Sequence, residues 1–344
     1  MLACSKVMKV LLAVMAQVET VDVMRARGAA SRLHTIVDDP DQADLILLLG
    51  NDAHFPERLL QHTLYLSHPN RCAVYTEEDS YLPLVPGVYC SATMDPSEQI
   101  GRCFNYSYAS RHGKHTNHYL ASTSGAEALD AEKRLLFSFQ GGSTSLVRKR
   151  LFNVNYGRPD ILVENTANYR HWDNSQPDRD AQQLRYARTM LESHFVLCPR
   201  GAGAGSIRFF EVMAAGVAPV LIADDYALPP GVDWDSFLLR FPEREIARLP
   251  SLLEPHVASS RERGAVARRA YEQAFSPEVE FDRIVGLAAL SLRHCAPAEA
   301  VFRSKQRSMV RKFAFRSRVR KQLRAVVKRV LKLPGIRSPY KLNS

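Results

Sequence analysis

A segment near the middle of the chain combines alternating glycines with charged side chains at the start of a predicted helix. Residues 195–220 read FVLCPRGAGAGSIRFFEVMAAGVAPV. The initial apolar run predicts a buried strand, which ends at Pro199 because proline cannot donate a hydrogen bond to a neighbouring strand. Ser206 is a favourable N-cap for the helix that follows, and Gly216 is a typical helix end. The segment therefore predicts strand, glycine loop, helix and strand, as in a doubly wound α/β domain.

The side chains of this loop and helix could bind a nucleotide sugar. Free N–H groups at a helix N-terminus attract anions, and the guanidinium groups of Arg200 and Arg208 would add positive charge for a diphosphate. Glu211 would repel phosphate and is better suited to accept hydrogen bonds from sugar hydroxyls. The alternative is that Arg208 and Glu211 only pair with each other along the helix. The predicted pocket residues are Arg148, Arg200, Gly201, Gly203, Gly205, Ser206, Arg208 and Glu211.

Two features of this pocket depend on its loops. The alternating glycines would let the backbone approach a ligand closely. Arg148 follows a glycine turn at residues 141–143 that would open into the same cleft, so it is a further candidate for binding phosphate. The alternative for Arg148 is a solvated charge beside Lys149 and Arg150.

Several motifs of the chain resemble the exostosin glycosyltransferases, over about residues 135–253. The matching motifs are LFSFQG (136–141), VRKRL (147–151), CPRG (198–201), SIRFFEV (206–212), AGVAPV (215–220), LP (228–229) and DW (233–234). The resemblance implies a GT-B fold, in which two Rossmann-like domains face each other across a cleft. It also implies an inverting, metal-independent transfer of a sugar from a nucleoside-diphosphate donor, expected to be a UDP-sugar. In that family pattern Arg200 and Arg208 contact the diphosphate and Glu211 contacts the ribose.

An inverting transfer needs a general base within hydrogen-bond reach of the acceptor hydroxyl. We expect this base in the loops that follow the strands of the first domain. Glu77, Glu78 and Asp79 follow the third predicted strand, and Asp52 and His54 follow the second. We favour Asp79 or Glu78, the alternative being that these acidic residues are solvated surface.

Two patterns could instead indicate a metal ion. The first is the spacing of His112, His115 and His118, but these offsets drift around a helix, and no nearby cysteine or carboxylate completes a site. The second is the Asp-x-Asp pair, which occurs at residues 39–41, 178–180 and 233–235. Such a pair could hold a divalent ion against a diphosphate, but the arginines already offer that positive charge. We predict no metal site.

The length and the charge distribution divide the chain into four parts. A chain of 344 residues can form two separate cores. Residues 301–344 contain fifteen Lys and Arg and no Asp or Glu, so the other 300 residues hold 31 basic and 36 acidic groups. The predicted parts are a Rossmann-like acceptor domain (1–130), a nucleotide-sugar-binding domain (131–275), a helix that returns to the first domain (276–300) and a basic amphipathic tail (301–344).

The predicted elements support this division. The expected strands are 9–15, 43–49, 72–75, 135–139, 160–163, 195–198 and 219–222. The expected helices are 55–66, 186–193, 206–214, 243–253, 259–275 and 278–295, and residues 18–33 would form a helix or an irregular crossover. The polar residues 120–133 would form the hinge between the domains.

The tail predicts contact with an anionic membrane surface. Apolar residues recur in it at helical spacing, at Val319, Leu323, Val326, Val327 and Val330, and basic residues surround them. The alternatives are a disordered charged appendage and non-specific binding of nucleic acid.

Cysteine usage and the N-terminus indicate where the protein acts. Six scattered cysteines without a Cys-x-x-Cys pair are typical of reduced thiols. The apolar run at residues 7–16 is broken by Lys9 and is too short to span a bilayer. We expect a cytoplasmic protein that is peripheral at the inner face of the membrane. The expected acceptor is a hydroxyl of a glycan or lipid-linked saccharide, and no cofactor is expected besides the nucleotide-sugar co-substrate.

Two other classes of function stay open at this point. One is a dinucleotide-dependent oxidoreductase, although the loop lacks the pattern Gly-x-Gly-x-x-Gly because serine stands at position 206. The other is a non-enzymatic protein that binds membrane or nucleic acid through its tail.

Overall fold

The computed structural model describes residues 6–15, 19–50, 55–79, 81–94, 101–113, 115–122, 130–169 and 173–330. The predicted candidates Asp52 and His54 lie outside the described residues. The same holds for the middle of the predicted hinge, residues 123–129, and for the end of the tail, residues 331–344.

The first half of the chain forms a parallel sheet of six strands in the order β2-β1-β3-β4-β5-β6. The strands are β1 (Lys9–Val14), β2 (Thr35–Ile36), β3 (Leu45–Leu49), β4 (Cys72–Thr76), β5 (Gly87–Tyr89) and β6 (Cys103–Phe104). The side chains of β3, LILLL, are all fully buried. An uninterrupted apolar strand of this kind belongs inside a parallel sheet that is covered on both faces, as the sequence predicted.

The second half forms a parallel sheet of five strands in the order β11-β10-β9-β7-β8. Its strands are β7 (Leu135–Gly141), β8 (Ile161–Asn165), β9 (Ser193–Pro199), β10 (Ala218–Ile222) and β11 (Leu239–Arg240). Two parallel-sheet domains that face each other across a cleft confirm the predicted α/β fold of the GT-B type. The two sheets lie on either side of the predicted boundary at residue 130.

Helices connect the strands and cover both sheets. They are α1 (Glu19–Ala30), α2 (Phe55–Leu59), α3 (Thr63–Ser67), α4 (His118–Ser122), α5 (Leu146–Asn153), α6 (Arg179–Leu191), α7 (Ile207–Ala214), α8 (Leu249–Leu253), α9 (Ser260–Ala274), α10 (Glu280–Cys295) and α11 (Glu299–Val330). The single helix predicted at 55–66 is instead the pair α2 and α3. The predicted helix at 186–193 begins earlier, at Arg179, and residues 243–248 form a 3₁₀ helix ahead of α8.

The central motif folds as strand β9, glycine loop, helix α7 and strand β10. Gly216 has φ +72°, a left-handed conformation that glycine adopts without strain, and it ends α7 as predicted. Ser206 occupies the N-cap position with an extended backbone, but its side chain makes no capping hydrogen bond. The predicted cap is therefore correct in position and wrong in its bond.

Helix α10 lies within the predicted returning segment 276–300 and packs against β3, β4 and β5 of the first sheet. Phe281, Ile284 and Val285 are buried in the main core. By length and composition alone, residues 280–316 are long and apolar enough to cross a membrane, with a mean hydropathy of 1.2 over 18 residues. However, 44% of those 18 residues are buried inside the protein. The apolar character of α10 is therefore that of a core helix.

Helix α10 also carries a buried carboxyl group, Glu280, which is 0% exposed. The Ser107 hydroxyl donates to its Oε1 at 3.4 Å, and His112 Nε2 lies 3.7 Å from the same oxygen. Burial raises the pKa of Glu280 from 4.5 to about 7, although the nearby Arg111 opposes this shift. Burial also lowers the pKa of His112 to about 2, so this imidazole is neutral in the folded protein.

The raised pKa of Glu280 predicts a pH-dependent stability. The folded state binds the proton more tightly than the unfolded state, so this group makes the protein less stable as the pH rises from about 4.5 to about 7. We expect the Glu280→Gln variant to gain roughly 2 to 3 kcal/mol relative to wild type between pH 5 and pH 8. Urea unfolding of both proteins at the two pH values measures this difference.

The control for this prediction is Glu278→Gln, because Glu278 is exposed and the Ser276 hydroxyl lowers its pKa. The free energy of unfolding of Glu278→Gln relative to wild type should change little between pH 5 and pH 8, or should fall where that of Glu280→Gln rises. Equal pH profiles for wild type and Glu280→Gln would contradict the prediction. The neutral His112 contributes alike to both proteins and cancels in the comparison.

Candidate active site

A cavity of about 840 Å³ lies between the two domains, at the carboxyl ends of the strands in both sheets. From the first domain it is lined by Glu19, Thr20, Glu77, Glu78, Asp79, Tyr108 and Ser110, and next to these by His115 and Asn117. From the second domain it is lined by Gln140, Gly141, Gly142, Thr144, Arg148, Thr166, Tyr169, Gln182, Gln183, Tyr186, Gly201, Ala202, Gly205, Ser206, Ile207, Arg208 and Glu211. This is where ligands bind in open α/β sheets.

Two guanidinium groups on the second-domain wall of this cavity contact the same aromatic ring. Arg148 comes from α5 and Arg208 from α7, and both lie over the ring of Phe139, with their Cζ atoms 5.5 Å and 4.5 Å from its centroid. Arg148 donates to backbone carbonyls, from Nε to Arg200 O at 3.1 Å and from Nη2 to Pro199 O at 3.2 Å. Burial lowers the pKa of Arg148 to about 9, and the charge of Arg208 lowers it further in the same direction. The wall therefore carries two positive charges that disfavour each other and that a bound anion would stabilise.

A hydrogen-bonded chain connects Arg208 to Glu211. Arg208 Nε donates to the Tyr186 hydroxyl at 3.0 Å, and that hydroxyl donates to Glu211 Oε2 at 2.8 Å. Arg208 also donates to the backbone carbonyl of Gln140. The two side chains are thus linked through Tyr186, in place of the direct pairing along the helix that the sequence left open as the alternative. A Cβ atom at position 141 would lie 2.9 Å from Arg208 Nη2, so any residue other than glycine there would displace this guanidinium group.

Arg200 is not among the residues that line the cavity, contrary to the sequence prediction. Its Nε donates to Glu243 Oε1 at 2.6 Å, in an ion pair whose side chains are only 28% and 15% exposed. The carbonyl of Arg200 accepts from Ser145 and Arg148, which holds the residue by its backbone. The available carboxylate of Glu243 directs the side chain away from the cavity. Arg148, which the sequence also offered as a phosphate contact, lines the cavity together with Arg208.

The glycine loop contacts the first domain as well as the cavity. A Cβ atom on Gly203 would lie 2.5 Å from Ser91 Oγ and 2.6 Å from Asp79 Oδ1, and one on Gly205 would lie 2.8 Å from the Cys90 carbonyl oxygen. Gly201, Gly205 and Ser206 line the cavity, whereas Gly203 does not. At Gly203 the backbone lies close to the opposite domain. The close approach of the loop to a ligand stays a prediction.

Three acidic residues follow β4, and the structure distinguishes them. Glu77 accepts hydrogen bonds from the Tyr75 hydroxyl at 3.0 Å and the Ser110 N–H at 2.9 Å, and burial raises its pKa. Asp79 accepts from the Gly203 N–H; desolvation raises its pKa, while this hydrogen bond and the charge of Arg148 oppose the shift. Glu78 and Asp79 both line the cavity, as does Glu77. The two predicted base candidates therefore lie in the cleft.

The residues considered for a metal ion are dispersed. His112 Nε2 lies 3.7 Å from Glu280, His115 Nε2 lies 3.3 Å from Glu19, and His118 Nε2 lies 3.5 Å from Asp180. The three Asp-x-Asp pairs do not line the cavity. Within the described residues, no group of three or more His, Cys, Asp or Glu side chains is placed to hold a metal ion.

Sequence reasoning missed several residues that line the cavity. Tyr186, Gln140, Thr144, Glu19 and His115 were not assigned to the pocket. Gln140 lies in the LFSFQG motif, so the motif itself was a signal. The others lie on helices or loops whose patterns are ordinary, and only the packing of α1 and α6 beside the cleft brings them to it.

Comparison with known proteins identifies the segment that carries most of this site. Residues 115–255 match the Exostosin GT47 domain. The predicted resemblance is thereby confirmed. The matched segment begins earlier than the predicted 135–253 and ends close to it. This exostosin-like segment provides the second-domain wall of the cavity, including Arg148, Arg208 and Glu211.

The chain spans well under half the length of the curated relatives it matches. It is 33% identical over 136 residues to Exostosin-1 of Drosophila melanogaster, and the aligned segment covers 36% of this chain and 18% of that protein. It is 29% identical over 150 residues to the Exostosin-1 homolog of Caenorhabditis elegans, which covers 40% and 38%. Among solved structures it is similar to Anabaena Alr3699/HepE in complex with UDP, at a TM-score of 0.37 and 10% identity over 81% of this chain and 98% of that one. A TM-score this low supports no functional inference.

Proposed function

We propose that this protein is a glycosyltransferase that moves a sugar from a nucleoside-diphosphate sugar to a hydroxyl group of a glycan or lipid-linked saccharide. The observation that carries the proposal is that two guanidinium groups, Arg148 and Arg208, line one interdomain cavity, where the charge of Arg208 disfavours that of Arg148. A diphosphate would neutralise their mutual repulsion, and it is also the leaving group of such a donor. The exostosin-like segment supports the same assignment.

The transfer would proceed by a single displacement with inversion at the anomeric carbon. The acceptor oxygen forms a bond to that carbon while the bond from the carbon to the diphosphate oxygen breaks. Asp79 would accept the proton of the acceptor hydroxyl, and Arg148 and Arg208 would stabilise the negative charge that develops on the departing diphosphate. Because these guanidinium groups supply the positive charge, we propose that the reaction needs no metal ion.

Glu211 would bind the ribose of the donor. Its carboxylate lines the cavity and is positioned by the Tyr186 hydroxyl, which is itself bonded to Arg208. A carboxylate accepts two hydrogen bonds from neighbouring hydroxyls and does not recognise a particular base. The expectation that the donor is a UDP-sugar thus depends on the family resemblance and not on a contact with uracil.

Thermal stabilisation by UDP, GDP and NAD tests the proposal. A ligand that binds the folded state alone raises its apparent stability by mass action. We expect stabilisation by UDP or GDP, and release of the nucleoside diphosphate from a matching sugar donor when an acceptor is present. Stabilisation by NAD alone would favour an oxidoreductase and refute the proposal. The anomeric configuration of the product, read by NMR, tests inversion.

Removal of the Tyr186 hydroxyl should weaken nucleotide binding. The Tyr186→Phe variant loses the bond that aligns Arg208 and the bond that aligns Glu211. Since hydrogen bonds to charged groups contribute about 1.5–3 kcal/mol each, we expect the Kd for UDP to rise about tenfold or more. Isothermal titration calorimetry measures the change.

Tyr156→Phe is the matched control, because its hydroxyl donates to the Ile246 carbonyl and Tyr156 does not line the cavity. It should lower stability without changing the Kd for UDP. Equal affinities for UDP in the wild type and Tyr186→Phe would show that this link has no role in binding.

A further inference from the structure

The basic helix α11 begins with three turns that are built into the first domain. Arg102 and Glu299 form an ion pair whose side chains are each 8% exposed, and the Arg102 guanidinium lies 3.5 Å from the centroid of the Phe302 ring. Gln306 Nε2 donates to the Tyr65 hydroxyl and to the Leu84 carbonyl, at 2.7 Å in both cases. We call residues 299–310 the root of the helix. Because one face of the root is anchored by the buried residues Glu299, Gln306 and Val310, the root fixes where the rest of the helix leaves the domain.

The root lies at the end of the first sheet opposite to the cleft. Its partners Asn70, Leu84 and Arg102 each precede a strand, namely β4, β5 and β6. The cavity residues Asp79 and Tyr108 follow β4 and β6 instead. All strands of this sheet are parallel, so the two sets of residues lie at opposite ends of it. Anything bound near the root would therefore leave the mouth of the cleft open.

The remainder of α11, residues 311–330, we call the arm. It contains nine Lys and Arg among twenty residues and no Asp or Glu. Phe315 is 68% exposed, and at helical spacing it continues the apolar positions 319, 323, 326 and 330. A helix of twenty residues is about 30 Å long. The arm thus combines a stripe of apolar positions with a strongly basic surround.

We propose that the arm lies in the surface of an anionic lipid bilayer and holds the first domain there with its cleft accessible. The basic residues would contact lipid phosphates, while the apolar stripe would enter the region of the acyl chains. Nine charges forbid a membrane-spanning orientation. The phosphates of a nucleic acid would pair with the basic residues, but they would not bury the exposed Phe315 or the apolar stripe that it begins. This proposal does not depend on the proposed transferase activity.

Co-sedimentation of the full chain with lipid vesicles tests it. We expect binding to vesicles of phosphatidylcholine that contain phosphatidylglycerol and no binding to phosphatidylcholine alone. Neutralising four arm residues (Arg318, Arg320, Lys321 and Arg324, each to Gln) should weaken the binding roughly 100- to 1000-fold. The Phe315→Ser variant, which keeps every charge, should weaken it about tenfold or more.

The matched control removes four positive charges outside the arm. Arg25, Arg32, Arg188 and Arg269 are exposed, and their replacement by Gln changes the net charge by the same amount. This variant should bind anionic vesicles nearly as well as wild type. If it loses as much affinity as the arm variant, net charge alone explains the binding and the proposal is overturned.

Two further results would overturn the proposal. One is full vesicle binding by the Phe315→Ser variant, because the apolar stripe would then make no contribution to binding. The other is absence of vesicle binding in a protein that binds a random-sequence RNA at the same salt concentration. A truncation used to check either result should retain the root, since removal of residues 301–344 would also delete Gln306 and leave the Leu84 carbonyl without its bond to that side chain.

Discussion

Arg148→Gln and Arg208→Gln should each abolish the thermal stabilisation by UDP and lower kcat/KM for sugar transfer by about 10²- to 10³-fold. Each guanidinium group lines a partly enclosed cavity, where removal of one preorganised donor to a developing negative charge costs about 3–4 kcal/mol. Arg208 is further oriented by the Gln140 carbonyl and the Tyr186 hydroxyl, so its replacement disturbs the position of Glu211 too. Differential scanning fluorimetry with UDP and initial rates of donor turnover measure these effects.

Arg150→Gln is the matched control on the same helix. Arg150 is exposed and lies two residues from Arg148, so its loss should leave both measurements unchanged. Arg200→Gln provides a second comparison, because that side chain pairs with Glu243 outside the cavity. Loss of UDP stabilisation in Arg200→Gln, together with its retention in Arg148→Gln, would show that Arg200 and not Arg148 binds the diphosphate.

Asp79→Asn should lower kcat by about 10²- to 10⁴-fold while the stabilisation by UDP persists. Asparagine keeps an acceptor for the Gly203 N–H but cannot remove a proton from an acceptor hydroxyl. The desolvation that raises the pKa of Asp79 also makes it a stronger base. Since the base acts when ionised, kcat/KM of the wild type should fall as the pH drops through that raised pKa.

Glu78→Gln distinguishes the two candidates for the general base. Glu78 lines the same cavity, and the sequence offered it as an equal alternative. We expect its replacement to change kcat only a few-fold. A large loss in Glu78→Gln with normal turnover in Asp79→Asn would assign the base to Glu78. Loss of UDP binding in Asp79→Asn would instead give Asp79 a structural role, through its bond to the glycine loop.

The contact of the glycine loop with the first domain has a consequence for domain motion. Gly203 and Gly205 leave no room for a methyl group against Ser91, Asp79 and the Cys90 backbone. The loop that lines the proposed phosphate site therefore touches the domain that carries the proposed base. Domain opening would break this contact and separate the two halves of the site at the same time.

Much of the fold follows from local patterns in the sequence. The long central strands β1, β3, β4, β7, β9 and β10 are rich in apolar residues, because most of their side chains are buried inside a covered parallel sheet. Helix α7 and its end at Gly216 follow from helical spacing and from the conformational freedom of glycine. The exostosin motif itself was visible because its loop, helix and charges are contiguous in the chain.

The short strands β2, β5, β6 and β11 could not be predicted in this way. They are only two or three residues long and exist because a neighbouring strand pairs with them. The same limit applied to the choice of arginines. The sequence offered both Arg148 and Arg200 as phosphate contacts, and the ion pair with Glu243, which is 43 residues from Arg200 in the chain, directs the Arg200 side chain away from the cavity.

The sequence by itself therefore determined the fold class, the central motif and the chemical types of the proposed site, because each depends on residues that are neighbours in the chain. The tertiary structure decided which of those side chains share one cavity, that Tyr186 connects Arg208 to Glu211, and that the root of α11 is anchored opposite the cleft. These facts depend on contacts between residues that lie 22 to 241 positions apart. Spacing along a chain carries no information about such contacts until the chain has folded.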